Sequence, residues 1–147
     1  MHQEEFKTNR PGDEKKYQER LDYENMLRYQ VMSVGQAINA GYDGYNATQV
    51  LLTMLIPELY EPIKDDVERA RNHLAQQVKK VQNYKSYSMV KVVGANTRAM
   101  QDQQYIASQV ADFKRDYSLS IMEMVIQTLH DNAMLLSQER RLDEGGY

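Results

Sequence analysis

Apolar residues recurring every third or fourth place constrain this chain most. Ile63, Val67, Ala70, Leu74, Val78 and Val81 follow that rhythm without a break. It is the period of an α-helix that buries one stripe and leaves the rest to water. Pro62 suits the first helical position, where an N–H would go unpaired anyway. Asp65, Asp66 and Glu68 sit near the positive end of the helix dipole. The spacing predicts a helix over 62–84.

The same rhythm recurs on both sides. Tyr23, Leu27, Val31, Val34 and Ile38 predict a helix over 13–40, with Asp13 as its cap and Gly41 as the residue that ends it. The passage Gly41-Tyr42-Asp43-Gly44-Tyr45-Asn46 then reads as a corner between antiparallel helices. Asn46 and Gln49 form a pair resembling a capping box that opens a second, very apolar helix, ending near Pro57. Asn46-Ala47-Thr48 is formally a glycosylation acceptor, but the amino-terminal residues lack the apolar run of a secretory signal. A metal loop needs clustered oxygens, and Asp43 is the one carboxylate here. The spacing also imitates a helix-turn-helix. The would-be recognition helix carries no Lys or Arg, so it does not suit a groove lined with phosphates.

After the polar break at 83–88, Met89 to Val93 reads as helical or extended, and Gly94 as a break. Asn96 or Thr97 restarts a helix whose stripe is Ala99, Ile106, Val110, Phe113 and Tyr117. Ser120 with Glu123 looks like a further capping box, opening a last helix over 121–142 with Met122, Val125, Leu129, Ala133 and Leu136 inward. The fold expected is all-α. It is a single-domain bundle of four to five mostly antiparallel helices over 13–142, with flexible polar tails at 1–12 and 143–147.

Composition narrows the function. With 147 residues and 41% hydrophobic content, 11 of the 13 aromatics being Tyr, the core is lean. The absence of Cys removes disulfides, thiolate metal sites and thiol nucleophiles. The longest apolar run, Leu51 to Ile56, is far too short to span a bilayer, so a soluble protein of the cytoplasm, or of a virion, is expected. His73 has Ala70 three residues before it and His130 has Gln127, so the Glu-x-x-His pattern of di-iron bundles is missing twice. His73 reads as part of a solvated face, and His130 as partly buried beside a carboxylate. No Walker loop, dinucleotide loop or zinc-protease motif is present. Neither a catalytic role nor a cofactor or metal is expected.

Charge is distributed in blocks. Between Arg28 and Lys64 there is no basic residue, and the acids there are Asp43, Glu58 and Glu61. This segment is either the centre of the bundle or a surface covered by another chain. Val50, Leu51, Leu52, Met54, Leu55, Ile56 and Leu59 are its candidate assembly contacts. Between Glu68 and Asp102 there is no acid, while Arg69, Arg71, Lys79, Lys80, Lys85, Lys91 and Arg98 are all basic, with Tyr84 and Tyr87 among them. Such a corner suits an anion or an acidic partner, and its Tyr rings could stack on bases. The first expectation is a non-catalytic interaction protein that assembles with itself or with a helical partner, for example in a virion or in mobile-element machinery. The alternative is a nucleic-acid-binding accessory protein that uses the basic segment.

Overall fold

The computed structural model describes residues 11–84 and 95–145, with side chains described over 14–84 and 100–133. Among these residues there is no strand, and the protein is an all-α single domain. Helix α1 spans Pro11–Asn39, α2 Tyr45–Met54 and the short α3 Pro57–Tyr60. A 3-10 turn, Glu61–Ile63, leads into α4, Lys64–Gln82, and α5 spans Ala95–Gly145.

At a rise of about 1.5 Å per residue, α5 is about 76 Å long and forms the spine. Helices α1 and α4 both run antiparallel to it, at different levels. On α1, Arg20 reaches Asn132 of α5. Further along, a Cβ on Gly35 would lie 3.7 Å from the end of Met122. On α4, Tyr84 packs its ring on Tyr105, 4.3 Å between centroids, and Arg71 lies beside Tyr117. Helix α2 fills the corner between them, with Gln30 donating to the Ala47 carbonyl at 3.0 Å.

The core follows the expected periodicity. Leu27, Val31 and Val34 come from α1, and Leu51 and Leu52 from α2. Leu59 and Ile63 lead into Val67 and Leu74, and α5 supplies Tyr117, Ile121, Val125 and Leu129. Each such side chain contributes about 1.5–3 kcal/mol when fully buried.

Gly41 ends α1 as expected. Its φ is 95°, and Tyr42 N–H donates to the Ala37 carbonyl at 2.9 Å while Gly41 N–H donates to Ile38 at 3.0 Å. This pair of bonds satisfies the last carbonyls of the helix. The start of α2 differs from expectation. Gly44, with φ 73°, is the residue before the first turn, and no side-chain cap is formed there, so Asn46 and Gln49 are not a capping box. Asp43 takes that part, its Oδ1 accepting from Tyr45 N–H at 2.9 Å.

Three other boundaries move. Helix α1 begins at Pro11, so the tail read over 1–12 keeps only residues outside the described range. Helix α4 starts at Lys64, because the 3-10 turn Glu61–Ile63, with Pro62 at its centre, comes first. Helix α5 passes straight through Ser120 and reaches Gly145, so no new helix opens at 121. Nothing between residues 95 and 144 breaks it, because that stretch contains neither Gly nor Pro. The readings made for 85–94 lie outside the described residues, as does the side chain of Leu136.

Candidate functional site

The apolar segment expected to meet a partner is the centre of the molecule itself. Leu51, Leu52 and Leu59 are buried in the core, and Met54, Leu55 and Ile56 pack against it. Of those seven candidate contacts, Val50 alone is exposed. Helix α2 lacks charge because α1 and α5 enclose it, which corrects its assignment as a docking surface.

Exposed apolar surface appears instead on the outside of α1 and α5, with the exposed Glu123 standing between Leu119 and Ile126 on α5. Tyr29 is 71% exposed and Met32 57%, and on α5 Leu119 and Ile126 are 42% and 47% exposed. Gly35 and Met122 face each other. Met32 lies one turn before Gly35, and Ile126 one turn after Met122. The helices are antiparallel, so both steps run the same way and put Met32 level with Ile126. Met26 of α1 is exposed as well. From Tyr29 to Tyr42 no residue is charged, even at positions facing water. Surface helices ordinarily carry charge there.

The basic residues do not form one patch. Arg69 is paired with Asp66 at 3.0 Å on the exposed face of α4. Arg71 lies on another side, against Tyr117. Lys79 and Lys80 are exposed in the last turn of α4, where they complement the helix dipole. With His73, Gln76 and Asn83 they line a shallow groove. Tyr84 stands at this end, stacked on Tyr105. Lys85, Tyr87 and Lys91 lie outside the described residues. Arg98 is on the backbone of α5, but its side chain lies outside them too.

Arg71 belongs to a tyrosine-rich corner that block-wise reading of charge did not separate from Arg69. Tyr117 is buried and donates its hydroxyl hydrogen to Gln49 Oε1 at 3.2 Å. Burial pushes the Tyr117 phenol above its ordinary pKa, although the neighbouring Arg71 pulls the other way. Tyr45 packs on Tyr117 with 5.7 Å between centroids, and Lys114 Nζ sits 4.9 Å above the Tyr45 ring. Beside this corner lies a groove of about 360 Å³. Leu52, Leu55 and Pro57 supply its apolar lining, and Gln49, Tyr60, Glu61 and Arg71 its polar rim.

A second polar node joins α1 to the rest. Arg20 bonds Asn132 and lies 2.7 Å from Glu58, and its Nε is 3.7 Å from the Oε1 of the buried Glu24. One turn along, the Tyr23 hydroxyl donates to the Met54 carbonyl at 2.5 Å and accepts from Ile56 N–H at 2.9 Å. It thereby satisfies the backbone where α2 ends before Pro57. Burial raises the Tyr23 pKa as well.

His130 is exposed, not partly buried, and the adjacent Asp131 accepts from Gln127 at 2.9 Å. Among the described residues no group of three His, Cys, Asp or Glu could hold a metal ion. No described helix is long and apolar enough to cross a membrane. The chain matches no protein-family model, no curated protein and no solved structure.

Proposed function

We propose that this is a non-catalytic helical assembly protein that associates with copies of itself through the outer face of α1 and α5. The observation that carries this reading is the exposed set Tyr29, Met32, Leu119 and Ile126 on a pair of helices with no charge between Tyr29 and Tyr42. Interfaces are enriched in Tyr and Met and depleted in Lys and Glu at their centres. The uncharged stretch of α1 is also self-complementary, because two copies can pack it about a two-fold axis without opposing like charges. A virion or a mobile-element assembly is one setting for such a subunit.

Met32→Glu and Ile126→Glu test this reading by sedimentation. Neither side chain is part of the core, so far-UV circular dichroism should remain that of the parent. The parent should sediment as an oligomer and each variant as a monomer. Variants that sediment like the parent would exclude this face.

Lys79 and Lys80 beside the Tyr84–Tyr105 stack favour a second reading, nucleic-acid binding at that end of α4. It requires a single-stranded oligonucleotide to bind at low salt, with binding lost in Lys79→Glu/Lys80→Glu and falling steeply as salt rises. Absence of binding at low salt removes it.

A further inference from the structure

The groove beside the tyrosine corner has the makings of a site for a single carboxylate on an apolar body. Arg71 makes no ion pair with any described carboxylate. It lies beside the Tyr117 hydroxyl and lines the groove with Gln49. A guanidinium can only donate, so the Tyr117 hydrogen points elsewhere, and it goes to Gln49 Oε1 at 3.2 Å. That bond orients the Gln49 amide and leaves its Nε2 as a donor at the groove. Arg71 and Gln49 thus form a prearranged pair of donors whose common complement is an anion. Lys114, above Tyr45, adds a second cation to the corner and likewise makes no ion pair with a described carboxylate.

The rest of the lining narrows the anion. A planar guanidinium matches the two oxygens of a carboxylate. Leu52, Leu55 and Pro57 offer apolar surface and no charge. Glu61 stands on the wall, so a string of phosphates would meet a carboxylate there. A ligand with an anionic end, a branched apolar group and an N–H beyond it satisfies all three features. The terminal residue of a peptide has that layout. We propose that this groove binds the carboxy-terminal residue of a partner polypeptide bearing a leucine-like side chain. The carboxylate lies on Arg71 and Gln49, the side chain over Leu52, Leu55 and Pro57, and the peptide N–H toward Glu61. Tyr117 acts as a positioning residue for both donors.

The test is a titration of the full chain, followed by amide chemical shifts. Three probes are used: an acetylated tripeptide ending in Leu, the same peptide amidated, and 4-methylpentanoate. The free-acid peptide should shift the resonances of Gln49, Leu52 and Arg71 at low-millimolar concentration or below. The amide should bind at least about tenfold more weakly, the equivalent of one charge-assisted hydrogen bond. The small acid should also bind more weakly than the peptide, because it has no N–H for Glu61. Arg71→Ala should abolish binding, with Arg71→Lys retaining part of it. Tyr117→Phe should weaken binding while the helical circular dichroism is unchanged. The inference is overturned if acid and amide bind alike, if 4-methylpentanoate matches the peptide, if Arg71→Ala binds normally, or if no probe binds. Met32→Glu should bind the peptide like the parent, so this result is independent of self-association.

Discussion

Two glycines in one turn behave differently because of what surrounds them. A Cβ on Gly44 would lie 3.0 Å from Ile38 Cγ1 and 3.3 Å from Val34 Cγ1, in backbone with φ 73°. Around Gly41, with φ 95°, nothing lies within 4 Å. Gly41→Ala should therefore cost about 1 kcal/mol from backbone strain alone. Gly44→Ala should cost about 2–3 kcal/mol, because strain and a clash against α1 add. Urea unfolding of the two variants checks the order, and equal losses would contradict the close approach of Gly44 to α1. Tyr23 and Tyr117 set a pH dependence. Burial favours their neutral forms, so each folded pKa lies above the ordinary value near 10. The stabilisation is complete below about pH 10 and is lost as pH rises through the folded pKa, since the unfolded chain releases the proton first. Unfolding free energy should fall above about pH 10, and the fall should be shallower in Tyr23→Phe/Tyr117→Phe. An equally steep fall in that double variant would contradict their burial.

Among the elements, α1 and α4 were legible because each buries one stripe, and a stripe is what periodicity reports. Helix α2 was legible as a helix but not as the centre of the molecule. A short helix apolar nearly all round can be enclosed by its own chain or by another, and spacing does not distinguish the two. Ser120 with Glu123 misled for a different reason: Ser three residues before Glu has the same letters whether a helix starts there or passes through. Mid-helix Ser is accommodated by bonding back along the helix, as Ser118 Oγ does to the Lys114 carbonyl at 2.8 Å. Ser120→Ala should therefore cost less than about 0.5 kcal/mol, whereas loss of a true cap costs about 1 kcal/mol. Ser120→Pro should cost about 3 kcal/mol or more by breaking α5. Thermal unfolding of both separates a continuous helix from two helices. The Arg20 node was invisible in sequence, because Arg20, Glu58 and Asn132 come from three distant places and meet only through packing. Arg20→Ala should cost about 3 kcal/mol by leaving the buried Glu24 unpaired. Arg20→Met/Glu24→Leu should recover most of that loss in chemical denaturation. A double variant no more stable than Arg20→Ala would contradict this origin.

On the scale of the whole molecule, the lean composition is reconciled by a long spine with two shorter helices laid against it and a small apolar helix in the corner. The block without cations between Arg28 and Lys64 divides into a buried and an exposed half. Its inward half, including Leu51, Leu52 and Leu59, is core. Its outward half, including Tyr29 and Met32, faces water without a charge between Tyr29 and Tyr42. The basic block was less legible, since Arg69 and Arg71, two residues apart on a helix, point to different sides. The uncharged outer face of α1 is the feature on which the proposed function rests, and solution mass reads it directly. Light scattering across a concentration series should give at least twice the chain mass of 17.2 kDa. A mass that stays at 17.2 kDa up to the highest concentration reached would contradict self-association.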